Sequence, residues 1–185
     1  GLDSFRERAS AAGLSGLHLN AVVWGQRILP GESEPAEWPA LLRDLGFDSF
    51  SSYVWIHHAR MPKFPQTDYT WARDRYFQYW GQIEHEIQLP YWPNVTMGWD
   101  PSPRTVSSDA YLNVGYPFTP TLEGNTPEAF CEALRLAKQR LEARPPAERI
   151  LTINAWNEWT EGSYLEPDET NGMGYLEAIR TAFRA

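Results

Sequence analysis

The sequence predicts an α/β fold built on a parallel sheet, because strand and helix signals alternate four times along it. Apolar, partly β-branched runs begin near positions 17, 47, 94 and 149. Each is followed, after a loop, by a stretch with helical periodicity or a helix-start signal. No internal repeat or low-complexity linker divides the chain.

In order, Ser4-Phe5-Arg6-Glu7 reads as a capping box, opening a short helix that ends at Gly13. Leu17 to Trp24 is the first strand, and a loop runs through Pro30-Gly31-Glu32-Ser33. Pro39 to Leu45 is a short helix stopped by Gly46, and Phe47 to Trp55 the second strand. After a loop with Pro62 and Pro65, a helix is expected from Thr70 to Gln88. Its apolar face carries Trp71, Phe77, Trp80, Ile83 and Ile87, and Pro90 ends it. Asn94 to Trp99 is the third strand, followed by the turn Asp100-Pro101-Ser102-Pro103 and an irregular segment. Asn125-Thr126-Pro127-Glu128 starts a helix with Phe130, Leu134, Ala137 and Leu141 on one face. Arg149 to Trp156 is the fourth strand, and Gly174 to Phe183 the last helix.

A full (β/α)8 barrel takes about 250 residues. Four βα units in 185 residues are therefore read as half of such a barrel, in one domain over 1–185. The chain does not start with Met and is read as trimmed, processed or excised from something longer. On this reading an apolar sheet edge is exposed unless another segment pairs with it.

Composition narrows the ligand class. Lys and Arg number 16 against 24 Asp and Glu, a formal charge of −8, which disfavours nucleic acid and anionic membrane surfaces as partners. No apolar run is long enough for a membrane span, and no signal peptide is visible, so location is left open. One cysteine, Cys131, excludes a disulfide framework and reads as a packed thiol. Nine Trp, nine Tyr and eight Phe are more than a small core readily buries. Flat rings stack on sugars or bases, and the charge makes sugars the better match.

In parallel α/β folds the ligand site lies beyond the C-terminal strand ends. Trp24, Tyr53, Trp55, Trp99, Asp100, Trp156 and Asn157 fall there and are read as lining it. The densest constellation is the run from Asn154 to Pro167, NAWNEWTEGSYLEP. Glu158 and Glu161 lie three apart past a strand end, flanked by Trp156 and Trp159, with Asn154, Asn157 and Tyr164 nearby. Burial against indole and hydrogen bonding from amides would set two such carboxylates apart in acidity. Glycosidic bond cleavage needs an unlike pair of this kind.

This run resembles the signature of the glycoside hydrolase family 99-like, or WbsX-type, proteins associated with bacterial polysaccharide loci. LSGLHLNAVV (14–23), Phe47 to Val54, GWDPSPR (98–104) and NTPE (125–128) follow that family's order, so the resemblance covers most of the chain. The family is similar to the endo-acting α-mannosidases, which are retaining (β/α)8 barrels. The resemblance implies that this chain is the C-terminal half. It also implies that Glu158 is the base on a sugar 2-hydroxyl and Glu161 the acid/base for the leaving group and water. Thr160 stands where the mannosidases usually carry His, a departure that bears on the sugar rather than on the carboxylate pair.

Other candidates are weaker. His57 is read as a sugar contact. Adjacent His57 and His58 cannot readily share one metal, and no zinc spacing appears, so neither metal nor cofactor is expected. Asp100 and Arg104 could orient hydroxyls, and Asp100 could equally cap the Pro-rich turn. Asn94-Val95-Thr96 is a glycosylation sequon inside an expected strand. The expected function is retaining hydrolysis of an α-linked oligo- or polysaccharide. A polysaccharide-assembling glycosyltransferase and a non-catalytic glycan-binding module are the alternatives. The remaining partner expected is the missing N-terminal barrel half, or another chain.

Overall fold

Helix α1 (Leu2–Ala11) begins ahead of the expected capping box. Ser4 therefore lies inside it, and no side chain caps its start. It buries no residue of its own and is tied down by Arg6, which donates to Gly46 O (2.6 Å) and Asp48 Oδ2 (2.9 Å). Helix α2 (Trp38–Leu45) ends at Gly46, whose φ of +75° suits a residue without a side chain. Helix α3 (Tyr69–Glu86) is capped by Asp68, which accepts the Trp71 N–H at 2.8 Å. Helix α4 (Pro127–Glu142) starts as expected, with Pro at its first turn and Thr126 accepting the Ala129 N–H. Helix α5 (Gly174–Phe183) packs on α4, with Tyr175 edge-on to Phe130. A computed structural model describes residues 1–24 and 38–184, and the loop expected at Pro30–Ser33 lies outside the described residues.

The strands are short: β1 (Asn20–Val23), β2 (Ser49–Ser52), β3 (Gln66–Asp68), β4 (Tyr91–Trp92), β5 (Asn94–Thr96), β6 (Thr121–Glu123), β7 (Thr152–Asn154), β8 (Asn157–Glu158) and β9 (Ser163–Tyr164). β1, β2 and β4 pair in parallel in that order. Pro93 separates β4 from β5, and there the pairing passes to β7, again parallel. Pro93 has no N–H to give, but its carbonyl accepts from Thr152 N at 2.9 Å. Between them the loops add a parallel β3–β6 pair.

The result is a mixed α/β fold with five α-helices and small sheets among the described residues. The strand segments fall in chain order and parallel, as the alternation implies. Among the described residues the strands do not close into a barrel, because β1 and β7 each pair on one side only. Val22, on β1, is 54% exposed.

The two sheet faces differ. One packs Phe50 on Tyr91 (4.8 Å between rings), with Trp55, Tyr76 and Trp80 behind. Tyr76, rather than Phe77, is fully buried on α3, as Tyr69 and Trp80 are. Its hydroxyl is satisfied inside, receiving the Asn94 N–H at 2.8 Å and lying 2.7 Å from Tyr91 Oη. The other face is polar. Asn20 donates to Ser49 Oγ and accepts from Ser51 Oγ, both at 2.8 Å, and Asn94 reaches Thr152 Oγ1 at 3.2 Å. Parallel sheets are usually covered by apolar side chains on both faces, so this polar face sets the sheet apart. No described helix is long and apolar enough to cross a membrane.

Candidate functional site

Past β7 the chain turns back on itself as an antiparallel hairpin, Asn157 opposite Tyr164 and Glu158 opposite Ser163. A single 3-10 turn, Trp159–Glu161, connects the two strands. Gly162 closes the turn at φ +58°, and a Cβ there would lie 2.8 Å from Asp100 Cβ. A Cβ on Gly98 would lie 2.5 Å from Gly162 O. These two glycines let the hairpin press against the end of β5. Asp100 N–H donates to Glu161 O at 2.6 Å, and Ser163 Oγ donates to Gly98 O.

The hairpin places Glu158 and Glu161 on one guanidinium. Arg104 Nη2 donates to Glu158 Oε1 at 2.5 Å, and Nη1 lies 3.4 Å from Glu161 Oε1. Arg104 Nε donates to Thr160 Oγ1 (2.9 Å), which donates in turn to Glu158 Oε1 (3.1 Å). Tyr116 receives from Arg104 and donates to Glu161 Oε1 at 2.9 Å.

The two carboxylates are therefore unlike. Glu161 is 6% exposed, with Oε1 occupied and Oε2 making no hydrogen bond. Glu158 is more open to solvent and held by Arg104 and Thr160. Burial, then the Glu161 carboxylate beside it, pushes the Tyr116 hydroxyl up to about 12, so it remains a proton donor at neutral pH. Burial lowers Arg104, but the charges of Glu161, Tyr116 and Glu158 outweigh it and raise the guanidinium further.

Tyr53, at the end of β2, belongs to the same neighbourhood. Burial raises its hydroxyl, and the charges of Glu161 and Glu158 raise it further. Trp24 lies over His57 (4.1 Å between rings) and near Tyr53 (5.9 Å). The ends of β1 and β2 thus present an aromatic cluster, with Trp24 41% exposed and His57 buried beneath. On the hairpin, Trp159 and Tyr164 stack at 3.7 Å and 14°. Their polar edges are fixed, Trp159 Nε1 donating to Glu166 at 2.6 Å and Tyr164 Oη to Asp168 at 3.1 Å. Trp156 and Asn157 are exposed, and Asn154 is buried at the end of β7.

Three expected site residues are placed elsewhere. Trp55 is fully buried, donating to Asn94 O at 2.9 Å and packed against Tyr69 and Tyr76, so it offers no surface to a ligand. Trp99 is buried too, donating to Thr119 Oγ1 at 3.1 Å, and backs Tyr116 rather than facing outward. Of the four strand-end indoles, only Trp24 and Trp156 are exposed. Asp100 is spent on the turn, its Oδ1 accepting the Ser102 N–H at 2.9 Å. That turn starts the 3-10 segment Ser102–Arg104, which presents Arg104. Tyr116 is a site residue that sequence reasoning missed. It lies in the irregular segment, where no spacing marks one aromatic over another. Among the described residues no group of three or more His, Cys, Asp or Glu gathers as metal ligands would.

No solved structure matches the chain. The "Uncharacterized protein WxcX" of two strains of Xanthomonas campestris pv. campestris is 38% identical over 93 residues. That stretch is 49% of this chain but 12% of each relative, so the chain spans a small part of these relatives. A family model described as "Glycosyltransferase WbsX" matches residues 2–179. The chain belongs to the glycosyltransferase WbsX family.

Proposed function

We propose that this chain carries the glycan-processing centre of a carbohydrate-active enzyme, a glycoside hydrolase that cleaves an α-linked oligo- or polysaccharide with retention. The observation that carries the reading is the unlike pair of carboxylates on one hairpin. Glu161 has a committed oxygen and an uncommitted one, and Glu158 is clamped by a cation. Glu158 then serves as the base. It takes the proton of a sugar 2-hydroxyl, whose oxygen attacks the anomeric carbon. Glu161 gives a proton from Oε2 to the departing glycosidic oxygen. In the second half Glu161 takes the proton of an incoming water, and Glu158 returns its own to the 2-oxygen. The resemblance to the endo-acting α-mannosidases supports these roles. Arg104 and Tyr116 orient the pair, and Trp24, Tyr53 and the Trp159–Tyr164 stack offer apolar faces to sugar rings.

The four parallel strand segments are read as the C-terminal half of a (β/α)8 barrel. The polar sheet face would then be the lumen side. An N-terminal segment of a longer protein, or another chain, would supply the rest.

The second reading is glycosyl transfer, which the family's name favours. The test is ¹H NMR of α-linked oligosaccharides incubated with the protein, alongside thermal shift with nucleotide sugars. Hydrolysis releasing the α-anomer first is the expected result. Release of the β-anomer contradicts the assigned roles. Stabilisation by a nucleotide sugar without hydrolysis selects transfer, and glycan binding without turnover selects a binding module.

A further inference from the structure

We propose that Asn154 determines which sugar the site accepts, by pairing with two adjacent hydroxyl groups of the unit held beside Glu158 and Glu161. This deepens the glycan-site reading and rests on it. Asn154 closes β7 and is 2% exposed, yet neither Oδ1 nor Nδ2 of its amide makes a hydrogen bond of ordinary geometry. Tyr53 lies beside it, and the amide favours the Tyr53 phenolate without closing such a bond. A buried polar group left so costs stability, which a sequence tolerates when the group is reserved for a ligand.

The amide lines a cavity of about 190 Å3 whose other walls include Val22, Ser51, Tyr53, Ile153 and Ala155. Val22, Ile153 and Ala155 give it aliphatic walls, and Ser51, Asn94 and Thr152 bring further polar groups to it, the mixture of apolar lining and convergent polar groups that small-ligand sites show. Tyr53 links it to the carboxylates, because it lines this cavity and feels the charges of Glu161 and Glu158. An amide offers an acceptor and a donor side by side. One sugar hydroxyl can donate to Oδ1 while its neighbour accepts from Nδ2, which a lone hydroxyl or a carboxylate cannot match. The ligand class is therefore a pyranose with free hydroxyls on neighbouring carbons.

The experiment compares the protein with Asn154→Leu and Asn154→Asp. The probes are the methyl α-glycosides of mannose, glucose and galactose and their monodeoxy forms, with affinity read by NMR and Tm by thermal unfolding. For the best-bound glycoside, Asn154→Leu is expected to weaken binding about tenfold or more while Tm stays level or rises, because the orphaned amide is gone. Deoxygenation that weakens binding to the parent should have little further effect on the variant. Asn154→Asp, which keeps the shape and loses the donor, should also bind more weakly. It decides the matter if the Leu variant does not fold. Unchanged affinity in the folded variants overturns the role of Asn154 alone. Failure of the parent to bind any glycoside overturns the glycan-site reading and this inference together.

Discussion

Glu161 Oε1 is held by Tyr116 and Arg104 while Oε2 is held by nothing, so the residue has one oxygen for positioning and one for chemistry. Removing the Tyr116 hydroxyl should disturb that division without emptying the site. A hydrogen bond to a charged group is worth about 1.5–3 kcal/mol. Tyr116→Phe is accordingly expected to lower kcat about ten- to a hundredfold with glycan affinity little changed, as steady-state kinetics would show. A second residue bears on stability. His58 is buried against Tyr79, with both ring nitrogens lacking a hydrogen bond, and burial lowers it to about 3. Its folded value lies below the unfolded value of about 6.5. The unfolded chain therefore takes up the proton first as pH falls. Stability contributed by neutral His58 is complete above about 6.5 and is lost progressively down to about 3. Urea unfolding at pH 7 and pH 4.5 should show a smaller loss of stability in His58→Leu than in the parent. The glutamate pair was legible from the sequence because a strand end, two Trp and two Glu coincide within a few residues. Tyr116 was not, because it reaches Glu161 from 45 residues away through an irregular loop.

At the scale of elements, the site depends on how tightly the hairpin meets the end of β5. A methyl group on Gly98 would collide with the Gly162 carbonyl and the Asn125 amide, at 2.5 and 2.6 Å. Gly98→Ala is expected to lower stability by about 1–3 kcal/mol, seen as a fall in Tm, and to reduce turnover by displacing Glu161. Helix α4 was legible in detail because its Thr126-Pro127 start and its apolar spacing agree. On α3 and at its C-terminal end, Trp80, Ile83 and Ile87 bury as the spacing predicts, while Tyr76 is an addition, since a tyrosine satisfied by Tyr91 and Asn94 buries better than spacing alone suggests. β4 was missed because two residues between Pro90 and Pro93 carry no strand pattern. The β3–β6 pair was missed because its partners lie 55 residues apart in the chain.

At the scale of the molecule, the alternation made the parallel sheet and its strand order legible. An exposed sheet edge is likewise what four βα units imply, and among the described residues β1 and β7 each pair on one side only. Those outer strands leave backbone groups unpaired, and Val22 of β1 and Ile150, just ahead of β7, are exposed. Unpaired edges of this kind invite pairing with another chain. Val22→Lys is expected to reduce concentration-dependent association of the isolated chain, read by light scattering after size exclusion.

The central claim is that Glu158 and Glu161 work as an unlike pair on a glycosidic bond. Its most direct test is turnover of α-linked oligosaccharides by Glu161→Gln, with glycan binding measured in parallel. The account predicts that turnover is abolished while binding survives. Turnover equal to that of the parent would contradict it.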